Sequence, residues 1–137
     1  MEKHYQLSDS EFQNKFRECT LDPALFSHEA HLRLTWIHLR KYGLEKACKN
    51  LCDQIQQFDR VHGKGDKFNM TVTIAAVNAV NHFIQKSRST NFSEFLIEFP
   101  RLKHSFKKLI SYHYSIDIFN SEKARIKYIE PDLLAFN

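Results

Sequence analysis

The sequence predicts an all-α protein, a single compact helical bundle of about five to six helices. Three observations carry that prediction. Glycine and proline are scarce, three of each in 137 residues, which argues against a loop-rich sandwich or a disordered chain. Apolar residues recur at helical spacing, most clearly in Leu44, Ala47, Cys48, Leu51, Cys52, Ile55 and Phe58, a match to the i, i+3, i+4, i+7 pattern. Residues that start and stop helices punctuate these periodic segments.

Ser8-Asp9-Ser10-Glu11 fits a capping box, and Phe12, Phe16 and Cys19 extend it as a first helix to about Cys19. Asp22-Pro23 pairs an N-cap with proline at the first helical position, the mark of a single turn. Ser27 caps the next helix, and Gly43 supplies the residue that ends it. Another long helix runs from Leu44 to about Arg60. His62-Gly63-Lys64-Gly65-Asp66-Lys67 holds two of the three glycines and is the one strong internal break. From Asn69 to Lys86, Val72, Ala76, Val77, Val80, Phe83 and Ile84 mark the most buried helix. Its β-branched start, Thr71-Val72-Thr73-Ile74, is read as helix because the run A-A-V-N-A-V-N-H-F-I beyond it is too long for a strand. A polar linker, Ser87 to Asn91, precedes a short helix, Phe92 to Phe99, that Pro100 stops. Leu102, Phe106, Leu109, Ile110 and His113 form one face of the next helix; Ser121-Glu122 opens a last turn or short helix, and Pro131-Asp132 begins an irregular tail. One domain is expected over residues 1–137, with residues 1–25 as its N-terminal helix and turn.

Composition sets the class of partner. The formal charge of +4 comes from 20 basic and 16 acidic side chains spread along the chain, so no anionic partner is demanded. Arg101, Lys103, Lys107 and Lys108, with Lys123, Arg125 and Lys127, read as solvated faces, and nucleic acid is not expected without an aromatic stacking motif. No apolar run reaches the roughly 20 residues of a membrane span, and the opening M-E-K-H-Y-Q-L-S-D-S has no apolar export segment. With three cysteines, Cys19, Cys48 and Cys52, a reducing cytoplasm is the expected setting, for a monomer or homodimer. Cys48 and Cys52 fall in an apolar stripe and read as small hydrophobes.

The segment F-S-H-E-A-H-L-R-L-T-W-I-H-L-R-K-Y-G holds the candidate chemistry. At 3.6 residues per turn, His28 falls inside the arc of Leu32, Trp36 and Leu39, while His31 and His38 line its polar edge beside Thr35 and Tyr42. Glu29, Arg33, Arg40 and Lys41 take the opposite side. Imidazoles at i and i+3 can share a metal ion, serve as acid–base and orienting groups beside a ligand, or simply satisfy backbone carbonyls. H-x-x-H alone is short of the three or four ligands zinc uses. Thr71, Asn78 and His82 share another polar stripe, and Tyr112-His113-Tyr114-Ser115 is placed to close a pocket or to pack a helix end. Phosphate-loop, Rossmann, H-E-x-x-H and G-x-S-x-G patterns are absent.

Phe26-Ser27-His28-Glu29-Ala30-His31-Leu32, with Trp36 and Leu39, resembles the F-x-H-x-x-H-L/V-x-x-x-W-x-x-L opening of a small bacterial all-helical family that carries no assigned activity. Phe68-Asn69-Met70-Thr71-Val72-Thr73 is similar to its Y-H-x-T-[IL]-T segment, and Tyr114-Ser115, Ser121, Ala124-Arg125 and Pro131-Asp132 to its C-terminal motifs. The match covers residues 26–132. The resemblance implies a site gathering His28, His31, Trp36, Thr71, Thr73, Tyr114 and Arg125. Asn69 stands where the family has histidine, and an amide oxygen is a poorer ligand for zinc or iron than imidazole, so a three-histidine metal site loses its third nitrogen.

The expected function is therefore small-molecule binding, or a metal-independent reaction, in a pocket between the helix after Ser27 and the helix after Asn69. His28 and His31 would be the acid–base pair; Asn69, Thr71, Thr73, Tyr114 and Arg125 would hold the ligand, and Trp36 would supply an apolar wall. No cofactor is required. The alternatives are a metal-dependent enzyme using His28 and His31, and an interaction module whose histidines are structural.

Overall fold

A computed structural model describes residues 1–136, and helices are the only regular structure among them. The α-helices are α1 (Asp9–Arg17), α2 (His28–Tyr42), α3 (Leu44–His62), α4 (Met70–Ile84), α5 (Phe92–Glu98), α6 (Arg101–His104), α7 (Phe106–Ser111) and α8 (Glu122–Ile126). Two 3-10 turns, Lys3–Gln6 and Pro23–Leu25, complete them. The predicted all-α class holds. No helix is long and apolar enough to cross a membrane among these residues. The chain divides into two compact units, Met1–Phe68 and the part from Asn69 onward.

In the first unit the predicted capping box closes α1: Ser8 Oγ accepts from the Glu11 N–H at 3.1 Å, and Glu11 Oε1 accepts from the Ser8 N–H at 3.0 Å. Helix α1 stops at Arg17, short of the expected end, because Cys19 takes a left-handed φ of 59°. Its N–H then bonds Phe16 O, and the Thr20 N–H bonds Lys15 O, a Schellman closure on a residue other than glycine. Gly43, at φ 83°, ends α2 and begins α3, so a single residue joins the two. Phe16 of α1 stacks on Phe58 of α3 with centroids 4.5 Å apart and meets Phe26 at 4.6 Å. Beyond α3, Asp59 Oδ2 accepts from the N–H groups of Lys67 and Phe68 at 2.8 and 2.9 Å. Gly63 passes so close to this carboxylate that a Cβ there would lie 2.8 Å from Asp59 Oδ1.

Helix α2 corrects the one-sided reading of its wheel. His28, placed in the core arc from sequence, is exposed, whereas His38, placed at the polar edge, is fully buried. Glu29 and Arg33, assigned to the outer side, are buried as well. The reason is double coverage: α2 packs against α3 and α1, and the Lys3–Gln6 turn closes over its supposed polar face. Arg33 binds that turn directly, donating to the carbonyls of His4 and Leu7, both at 2.8 Å, and to Asp9 Oδ1.

In the second unit Asn69 is the N-cap of α4 rather than its first residue, with Oδ1 accepting from the Val72 N–H at 2.9 Å. Its Nδ2 donates to Ile118 O at 2.9 Å. Ala75, Ala76 and Ala79 on α4 form a core with Phe106, Ile110, Tyr114, Ile118 and Ala124. Small alanines let α8 approach α4, and Thr71 fastens the chain beyond α8. Its Oγ1 donates to Lys127 O at 2.9 Å and accepts from the Ile129 N–H at 3.0 Å. Thr71→Val keeps the shape and removes both bonds, leaving the Lys127 carbonyl and the Ile129 N–H without this partner. A loss of about 2–3 kcal/mol is expected, with Thr71→Ser close to the parent. Urea midpoints of the two variants check this; equal midpoints would contradict it.

Candidate functional site

The predicted site residues occupy both units and have different surroundings. His28, His31 and Trp36 belong to the first; Asn69, Thr71, Thr73, Tyr114 and Arg125 belong to the second.

In the first unit His31 is half-buried overall, but its Nε2 is wholly enclosed and has no hydrogen-bond partner. Burial, with the neighbouring His28 charge, lowers its pKa to about 4. The ring is therefore neutral at physiological pH, with little drive to take a proton from a substrate there. Its ring lies 5.5 Å from that of Phe26. Trp36 is buried beneath the Arg40 guanidinium, which lies 5.2 Å from the ring centroid. It edges a shallow depression of about 390 Å³ with Asp9, Gln13 and Lys41.

In the second unit, besides the partners of Asn69 and Thr71 described above, Thr73 Oγ1 donates to Asn69 O at 2.8 Å. Tyr114 Oη donates to Ile129 O at 2.8 Å, and burial raises its phenol pKa. Arg125 pairs with Glu122 one turn earlier on α8. Asn69, Thr71 and Tyr114 thus bind backbone of the segment from Ile118 to Ile129. The resemblance in sequence marked these residues without separating a chain clasp from a ligand contact.

The same unit holds a cavity of about 290 Å³ with mainly apolar walls. Ala79, His82 and Phe83 give it one wall from α4; Leu109 of α7 and the neighbouring Tyr112 and His113 give a second. Leu134, Ala135 and Phe136 form the third. Ala79 has no side chain beyond Cβ, and this leaves room one turn before His82 and Phe83. The C-terminal segment is strapped down by the Leu133 N–H to His113 O at 3.0 Å, and by His113 Nδ1 donating to Leu134 O at 2.7 Å. Asp132 adds a bond from the Ser115 N–H at 2.9 Å, and Phe136 stacks on the His113 ring at 4.0 Å. Because Nδ1 donates, Nε2 of a neutral His113 is an acceptor. Burial, then Lys86 and His113, lowers the pKa of His82.

In the sequence, His82 and the Tyr112-His113 pair stand out separately, with no signal to join them. Ala79 does not stand out at all, and the segment after Pro131 reads as a tail. The aromatic Phe136 is the available hint. Cys48 and Cys52 behave as the small hydrophobes expected; burial first, then Cys48 and Asp53, pushes the Cys52 thiol up to about 12. Compared with family models, curated proteins and solved structures, the chain matches none.

Proposed function

We propose that the chain is a small-molecule-binding protein whose ligand occupies the cavity lined by α4, α7 and the C-terminal segment of the second unit. The observation that carries this reading is a preformed apolar hollow with two imidazoles in its wall. Ligand pockets combine apolar walls with a few polar groups in this way, and their volumes run from roughly 300 to 1,000 Å³. At about 290 Å³, just under that range, the cavity takes a compact ligand: an aromatic or short aliphatic body bearing one hydrogen-bonding group for His82 or His113. A second reading places the ligand beside His28 and His31 in the first unit. It is favoured by the enclosed, unpartnered Nε2 of His31.

Indole, a compact aromatic with one N–H donor, is the probe. Titrated into labelled protein, it is expected to shift amide resonances at Ala79, His82 and His113. Ala79→Leu fills the cavity from a helical position and is expected to weaken indole at least ten-fold while the spectrum stays dispersed. Shifts confined to residues around His31 would transfer the site to the first unit. No shift in either unit at millimolar indole would refute both readings.

A further inference from the structure

We propose that Glu2, His4 and Glu29 form a binding site for one divalent metal ion such as Zn²⁺ or Mn²⁺. The site lies within the first unit and is independent of the cavity in the second. One imidazole nitrogen and two carboxylates offer donor atoms that all lie within 4.8 Å of one another. His4 Nε2 is 3.1 Å from Glu2 Oε1. Two ligand atoms held at 2.0–2.2 Å from one ion are roughly 3.0–3.5 Å apart, so this pair already has ligating separation. The remaining separations, up to 4.8 Å, have to close by up to roughly 1.3–1.8 Å, a side-chain adjustment.

Two further features fit a cation. His4 is fully buried, and its Nε2 faces the carboxylates without hydrogen-bond geometry to any partner. Ser27 Oγ, the N-cap of α2, donates to Glu2 Oε1 and orients that carboxylate, as outer partners of metal ligands do. Arg33 stands on the other side of the ring, with Nη1 3.3 Å from His4 Nδ1 and only 2.8 Å from the His4 carbonyl that takes its proton. The guanidinium also pairs with Asp9 Oδ1 at 2.9 Å, which offsets part of its charge beside the ring. A donor set of one nitrogen and two oxygens selects neither the soft ions held by thiolates nor the all-oxygen sites of calcium. Three protein ligands leave further positions for water, and a bound ion would tie the Lys3–Gln6 turn to the start of α2.

The test uses untagged, chelator-treated full-length chain titrated with Zn²⁺ and with Mn²⁺ by calorimetry, beside Glu2→Gln and Glu29→Gln. Glu2 is the decisive position because its side chain is 37% exposed, and glutamine there keeps the fold. One equivalent of metal in the parent, weakened at least ten-fold in Glu2→Gln, is the expected result. Co²⁺ then identifies the donors, and a visible spectrum without a thiolate charge-transfer band is expected. No binding in the parent, binding unchanged by Glu2→Gln, or a thiolate band pointing to Cys48 and Cys52 would each overturn the proposal.

Discussion

Acidification from neutral pH to about pH 4 is expected to open the first unit before the second. His31 and His38 have pKa values lowered to about 4, in each case chiefly by burial. For His38, Lys41 and Arg17 add to the effect, and the ring is fully enclosed, with Nε2 lacking a partner. In the unfolded chain both rings take a proton near the ordinary value of 6.5. Between 6.5 and about 4 the unfolded state therefore binds more protons, and stability falls as pH falls through that window. Each histidine accounts for about 3 kcal/mol once the pH lies below both values, so together they rival the whole stability of a small domain. The lowered carboxylates of the second unit, Glu122 beside Arg125 and Asp132 beside Ser115, lose their contribution only below their ordinary values of 4.5 and 3.8. Amide exchange of α2 and α4, measured from pH 7 to pH 4.5, separates the two behaviours. Protection in α2, with its two strongly lowered histidines, should fall more steeply than in α4, which carries His82 alone, and His31→Phe should remove part of the slope. Equal, flat protection in both helices would show that the buried rings titrate without cost.

The helices were legible because their ends carry chemistry that does not depend on tertiary context. Ser8 with Glu11, Ser27 and Ser121 each cap a helix, as their residue types predict. Asn69 shows the limit of that reading: a helix starting at Asn69 is drawn one residue long, since the same side chain that suggests helix is spent on its cap. The faces of α2 were less legible. A wheel assumes one dry side, and α2 has two, because a 3-10 turn of four residues covers Arg33. Such a turn is too short to show a period.

Candidate sites divide along the same line. His28 and His31 share a short motif, and proximity in sequence made them visible. The cavity joins Ala79 and His82 to His113 and Phe136, and the carboxylate–imidazole cluster joins Glu2 and His4 to Glu29. Neither grouping has a spacing that a linear pattern can register. Only the folded chain brings the members together, and the residue that enables the cavity is an alanine, distinguished by what it lacks.

Arg33 is the side chain whose removal is expected to cost most. It is almost fully buried and donates to His4 O, Leu7 O and Asp9 Oδ1, with the guanidinium carbon 4.8 Å from the Phe12 ring centroid and 5.3 Å from that of Tyr5. Arg33→Ala leaves Leu7 O without this donor and His4 O with the Leu7 N–H alone, opens a hole between two aromatic rings and frees the Lys3–Gln6 turn. Losses of this kind run to about 3–5 kcal/mol. The pair with Asp9 is a small share, because the Asp9 side chain is 53% exposed and its charge is screened. Arg33→Met restores volume without donors, and Arg33→Lys restores charge without the planar fork that reaches two carbonyls and a carboxylate at once. The expected order of urea midpoints is parent, Lys, Met, Ala, with Asp9→Asn near the parent. If Arg33→Met matched the parent, packing alone would hold the turn, and the hydrogen bonds would contribute no net stability.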